Sequence, residues 1–92
     1  MRARQIEEEE IAVDPVAIEA MLRDSLDRWG IEMTGDQRVD EETAARLIGY
    51  SALYTRNLRQ LGRGPDPVKL RGRVWYRLPD VARWLAENIE PF

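Results

Sequence analysis

Between residues 62 and 67 the chain reads Gly-Arg-Gly-Pro-Asp-Pro, a run that neither a helix interior nor a central strand accepts. Proline lacks the backbone N–H that both need, and glycine loses the most chain entropy on ordering. A helical pattern on either side must therefore break here. The next ten residues, Val68-Lys69-Leu70-Arg71-Gly72-Arg73-Val74-Trp75-Tyr76-Arg77, alternate in polarity. A period of two marks a hairpin with one face packed and the other wet. It predicts Val68 and Leu70 facing inward, with Val74 and Tyr76 opposite them. Lys69, Arg71, Arg73, Trp75 and Arg77 then face outward, with Arg71-Gly72 near the tip.

Helical patterns surround this hairpin. Asp14-Pro15 is a helix start, since Asp caps well and Pro at the first position gives up only an N–H that has no helical partner. Ile18, Met21, Leu22, Leu26 and Trp29 then form one stripe, and Gly30 supplies a left-handed stop. Residues 31–38 read as a connector. A second helix starts at Asp40, with Glu41-Glu42 in its first turn, where the dipole favours anions. Ala44, Ala45, Leu47 and Ile48 are its buried side, and Gly49 ends it. After Gly49-Tyr50-Ser51, a third helix runs from Ala52 to about Leu61 and stops at Gly62. Pro79-Asp80 opens a fourth, with Val81, Trp84, Leu85 and Ile89 at helical spacing. Two short helices joined by a tight glycine turn, then a basic hairpin and a closing helix, read as a winged helix-turn-helix. The expected fold class is mainly α with a small β-hairpin wing and an extra N-terminal helix.

Ninety-two residues suit one small domain. With no Cys and no His, thiolate nucleophiles, Ser-His-Asp triads and the usual zinc sites are excluded, so no enzyme, cofactor or metal is expected. No apolar run approaches a membrane span or a secretory signal, and the expectation is a cytoplasmic binding module.

The net charge of −3 conceals a division. Residues 1–42 carry five Lys/Arg against thirteen Asp/Glu, whereas residues 46–77 carry eight basic residues against Asp66 alone. Nucleic-acid binding depends on the local field rather than the average. The expected division is an acidic N-terminal extension, 1–38, with a helix at 14–30, and a winged helix-turn-helix at 39–92 that is expected to bind DNA. The Glu7–Glu10 run reads as a solvated segment.

The run Val39-Asp40-Glu41-Glu42-Thr43-Ala44-Ala45-Arg46-Leu47-Ile48-Gly49-Tyr50-Ser51 resembles the opening of the excisionase-type, AlpA-like DNA-binding domains, relatives of the MerR winged-helix fold. Gly62-Arg63-Gly64-Pro65, Val68-Lys69-Leu70, Arg73-Val74-Trp75-Tyr76-Arg77 and Asp80-Val81-Ala82-Arg83-Trp84-Leu85 look like that family's wing and closing helix. The resemblance covers about residues 39–88. It implies a phage, mobile-element or bacterial protein that binds duplex DNA, as a transcriptional regulator or as an excisionase-like recombination factor. Ser51 to Gln60 would be the recognition helix and Lys69 to Arg77 the wing.

On the recognition helix Leu58 and Leu61 are expected to pack, joined by Tyr54 or Thr55. Arg56, Asn57 and Gln60 then lie on the open side, with Ala52 and Leu53 near the helix N-terminus. Arg bridges guanine O6 and N7, and Asn or Gln bridges adenine N6 and N7, so these types suit base edges. Arg59 is expected to hold a phosphate or brace the wing. Lys69, Arg71, Arg73 and Arg77 suit phosphates, and Trp75 between them suits stacking on nucleic acid or covering a helix. The site expected from sequence is thus Ser51, Arg56, Asn57, Arg59, Gln60, Lys69, Arg71, Arg73, Trp75 and Arg77. Trp29 and Trp84 are expected in the core. The helix at 14–30 either enlarges the core or forms a homodimer, and an integrase, a polymerase or another protein partner stays open. The alternative function is an adaptor whose acidic helix docks a partner protein.

Overall fold

A computed structural model describes residues 14–89, so the Glu7–Glu10 run lies outside the described residues. Four helices and three short strands stand in the order α1 (Pro15–Trp29), β1 (Arg38–Asp40), α2 (Glu41–Ile48), α3 (Ala52–Gln60), β2 (Val68–Leu70), β3 (Arg73–Arg77) and α4 (Leu78–Asn88). Local chemistry sets most of these ends. The carboxylates of Asp14 and Asp40 accept from the N–H groups of Val16 (3.0 Å) and Thr43 (2.8 Å). The Ser51 hydroxyl accepts from the N–H of Tyr54 at 3.1 Å. Each satisfies one of the donors that a helix start leaves unpaired. Gly49 closes α2 at φ +87°, and the N–H groups of Gly49 and Tyr50 both reach the Ala45 carbonyl at 2.9 Å. That left-handed residue turns the chain within three positions into α3.

The strands form one antiparallel sheet with β3 in the middle, in the order β1-β3-β2. Segment 31–38, expected as a pure connector, ends in a strand: Arg38, Val39 and Asp40 pair with Arg77, Tyr76 and Trp75. Thr34 and Gln37 form the turn before it, with the Gln37 N–H on the Thr34 carbonyl at 2.9 Å. A strand of three residues is too short to show a period, and its partner lies more than thirty positions away.

The hairpin exists, but its register differs from the expected one. Arg71 (φ +54°) and Gly72 (φ +79°) are a two-residue turn with both residues left-handed, the turn that matches the twist of antiparallel strands. It pairs Leu70 with Arg73, Lys69 with Val74 and Val68 with Trp75. Directly opposed residues share a face. Val68 and Leu70 therefore lie on the outer face with Arg73, Trp75 and Arg77. Lys69 lies on the inner face beside Val74, beyond the edge of the core, and is exposed.

The core is a single cluster of Ile18, Leu22, Leu26, Val39, Ala44, Tyr76, Leu78, Val81 and Ala82. The turns of α1 that carry Ile18, Leu22 and Leu26 repeat every four residues and press against α4. Residue 38 is thus no boundary between cores, because α1 and β1 both build the one that holds α4. Met21, expected on the buried stripe, is 60% exposed, and Leu61, expected to pack, is 66% exposed. Both sit past the edge of the helix face that meets the core. Leu58 is half-buried and Thr55 fully buried, its hydroxyl donating to the Ser51 carbonyl at 3.0 Å. Trp29 and Trp84 are half-buried rather than enclosed, and the Trp84 indole donates to the Arg63 carbonyl at 2.9 Å.

Candidate nucleic-acid interface

The exposed side of α3 is a stripe. Leu53, Arg56, Asn57 and Gln60 succeed one another along one face of the helix, and all are exposed. The side-chain hydrogen bonds that this helix and its cap make among the described residues belong to Ser51, Thr55 and Arg59. Arg56, Asn57 and Gln60 thus present free donors and acceptors. Tyr50 and Tyr54 meet edge to face at 4.7 Å beside the start of the stripe.

Arg59 is placed otherwise. Its Nε donates to Glu41 Oε2 at 2.7 Å and its Nη2 to Glu41 Oε1 at 3.2 Å. The buried Tyr76 hydroxyl donates to the same Oε2 at 2.6 Å. The guanidinium and carboxylate side chains are only 17% and 19% exposed. Arg59 therefore spends its fork on α2, and through Glu41 it braces β3; the phosphate contact expected for it does not fit this geometry. Burial pushes the Glu41 carboxyl up, but the hydrogen bonds from Arg59 and Tyr76 and the charges of Arg59 and Arg56 outweigh it, so the net shift is downward. The Glu41 hydrogen bond raises the Arg59 guanidinium further, and burial followed by the Glu41 contact raises the Tyr76 phenol. All three hold the protonation state that the network needs.

The hairpin leaves Lys69, Arg71, Arg73 and Arg77 exposed. Among the described residues no carboxylate lies within 4.0 Å of these four, or of Arg46, Arg56 and Arg63. The cations that do find partners are Arg23, Arg28, Arg38, Arg59 and Arg83. Among the described residues, the cations with no carboxylate neighbour thus lie at Arg46 on α2, on α3, in the loop after it and on the hairpin.

Trp75 is half-buried on the outer face of the sheet, with the guanidinium carbons of Arg38 and Arg73 each 5.0 Å from its ring. It also lines a crevice with Ile31, Met33 and Val39. The ring thus faces the 31–34 segment across this crevice and lies against two cations. Arg38 is oriented in turn by Asp36, whose carboxyl is pulled down to about 2 by hydrogen bonds from Arg38 and Thr34. Arg46 lies 3.9 Å over the Trp29 ring, tying α2 to the end of α1. Ser51 is committed to capping α3.

Of the residues expected from sequence, Arg56, Asn57 and Gln60 share one stripe, and Lys69, Arg71, Arg73 and Arg77 are exposed along the hairpin. Two residues of the site were not anticipated. Glu41 holds Arg59, but in sequence it reads as an anion favoured by the helix dipole. Arg38 flanks Trp75, a contact that only the unforeseen pairing of β1 creates. Leu53, expected near the N-terminus of this helix, heads the α3 stripe and is exposed. Among the described residues no cluster of His, Cys, Asp or Glu could hold a metal, and no helix is long and apolar enough to cross a membrane. Comparison with protein-family models, with curated proteins and with solved structures gives no match.

Proposed function

We propose that this chain is a sequence-specific duplex-DNA-binding protein with a winged helix-turn-helix, of the excisionase-like kind that its residues 39–88 resemble. In this reading α3 enters the major groove and the β2–β3 hairpin is the wing. The observation that carries the reading is the α3 stripe of Arg56, Asn57 and Gln60, together with hairpin cations that, like Arg56, have no carboxylate within 4.0 Å among the described residues. Base-reading side chains on a recognition helix give sequence preference, and cations on a hairpin give affinity through phosphates. The Arg59–Glu41–Tyr76 network supports the division of labour. It fixes α3 and β3 to a common support on α2, so that both elements meet DNA in a set geometry. The biological role is transcriptional regulation or accessory work in excision, at a site in phage, mobile-element or bacterial DNA.

A fluorescence-anisotropy titration of labelled duplex at several salt concentrations tests the reading. Affinity is expected to fall steeply with salt, with a slope of about −0.9 for each phosphate neutralised. Duplex binding that is absent at low salt would reject it.

A second reading, a protein-interaction adaptor, rests on the outer face of α1. Val16 and Met21 are 72% and 60% exposed there, and Met21 lines a shallow depression with Asp24 and Arg28. This face offers a surface to a second copy or to another protein, and it is separate from α3. An adaptor shows a partner complex that persists at high salt and little affinity for duplex.

A further inference from the structure

The stripe that carries Arg56, Asn57 and Gln60 begins with a residue of different chemistry. Leu53 is the second residue of α3 and stands three and four positions before Arg56 and Asn57, so a helix stacks it above them on one face. It is 65% exposed. A single exposed leucine is ordinary on a protein surface. Its surroundings are not: it heads a row of polar groups that make no hydrogen bond among the described residues, and the cation of that row, Arg56, has no carboxylate within 4.0 Å. An apolar partner helix would bury those polar groups without partners, at a cost for each. A DNA major groove has hydrogen-bonding groups for the polar members of the stripe and one apolar group for the leucine, the 5-methyl of thymine. The early residues of a recognition helix are the ones that reach the bases.

We infer that Leu53 is a specificity-determining residue that packs on a thymine methyl, next to the bases faced by Arg56 and Asn57. The inference rests on the DNA-binding reading and adds a requirement to it: the preferred site contains a thymine recognised by shape, without a hydrogen bond.

The probe is the duplex that full-length wild-type protein selects from a random library. Each thymine in it is replaced in turn by deoxyuridine, which lacks only the methyl group, and binding is measured for wild type and for Leu53→Ala. Leu53 is exposed, so the variant keeps the fold, and a matching circular dichroism spectrum and melting temperature check this. The expected result is that one uridine replacement, or two adjacent ones, weakens wild-type binding about fourfold, the equivalent of one buried methyl group. Leu53→Ala should bind the thymine and uridine duplexes equally at that position. Uridine tolerated at every position overturns the inference while leaving the DNA-binding reading intact. So does an equal uridine penalty in both proteins. A wild-type protein that enriches no sequence and retains no duplex removes the underlying reading, and the role of Leu53 falls with it.

Discussion

The Tyr76 hydroxyl, on the central strand of the sheet, donates to Glu41 Oε2 at 2.6 Å, the oxygen that Arg59 Nε also reaches at 2.7 Å. One carboxylate oxygen thereby joins α2 and β3, which carry core residues, to α3, which buries little beyond Thr55. A short helix with so little buried surface gains its position from such a contact. The network lies under the α3 stripe and behind the hairpin, so its integrity governs the geometry of both.

Tyr76→Phe removes one donor from Glu41 and keeps the ring that fills the core. The loss should be about 1.5–3 kcal/mol, the usual range for a hydrogen bond to a charged group. Urea denaturation followed by circular dichroism measures it. A loss near zero would mean that Arg59 alone satisfies the carboxylate.

Glu41 also sets a pH dependence. Its folded pKa lies below the ordinary 4.5, so its contribution is complete above the unfolded value and is lost as pH falls through the folded one. Wild-type stability should therefore drop over the acid interval below about pH 4.5. Glu41→Gln should be less stable than wild type near neutrality and should show a flatter profile over that interval. Asp36, which also titrates low, is common to both proteins and cancels in the comparison. Melting temperatures of the two proteins across this range decide the point.

Arg56→Ala and Asn57→Ala should each relax preference at one or two base pairs, by roughly 1–3 kcal/mol against the wrong base, with fold and non-specific affinity nearly unchanged. Both side chains are exposed and make no hydrogen bond or ion pair among the described residues, so the fold depends little on them. A binding-site selection with wild type and both variants tests this. Identical sequence preferences in all three would show that α3 does not read DNA through these residues.

Replacing Lys69, Arg71 and Arg73 together by Ala should act in the opposite way, weakening specific and non-specific duplexes alike and lowering the salt slope by about one for each phosphate no longer neutralised. Their different faces make the three unequal. Arg73 also flanks Trp75, so Arg73→Ala should loosen the outer face of the sheet, whereas Lys69→Ala should leave it unchanged. An unaltered salt slope in the triple variant would assign the phosphate contacts elsewhere.

Because Leu26 is fully buried in the core shared by α1 and α4, Leu26→Ala should cost about 2–5 kcal/mol, as cavity-forming substitutions do. Deleting residues 1–38 removes α1 and the first residue of β1 and uncovers α4. The remaining chain should lose its cooperative thermal transition. A truncated protein that melts as sharply as the full chain would make the N-terminal helix an appendage.

The sequence by itself determined whatever depends on a few adjacent residues. Asp14-Pro15, Asp40 and Ser51 start helices because their side chains reach N–H groups two or three positions on, and Gly30, Gly49 and Gly62 stop them because a left-handed turn costs glycine little. The Gly-Pro run and the alternation after it marked the hairpin for the same reason, and helical spacing marked Arg56, Asn57 and Gln60 as neighbours. The register of the hairpin was within reach of the same local reasoning, since a two-residue turn at Arg71-Gly72 already requires Leu70 to share a face with Arg73. Only the tertiary structure decided the rest. Strand β1 exists because β3 lies beside it, and no three residues carry a period that announces a partner so far along the chain. Glu41 and Arg59 are eighteen positions apart on different helices, and their pairing comes from how α2 and α3 cross, not from their spacing. The place of α1 was open for a like reason: an amphipathic stripe states that something must cover it, and only packing against α4 states what.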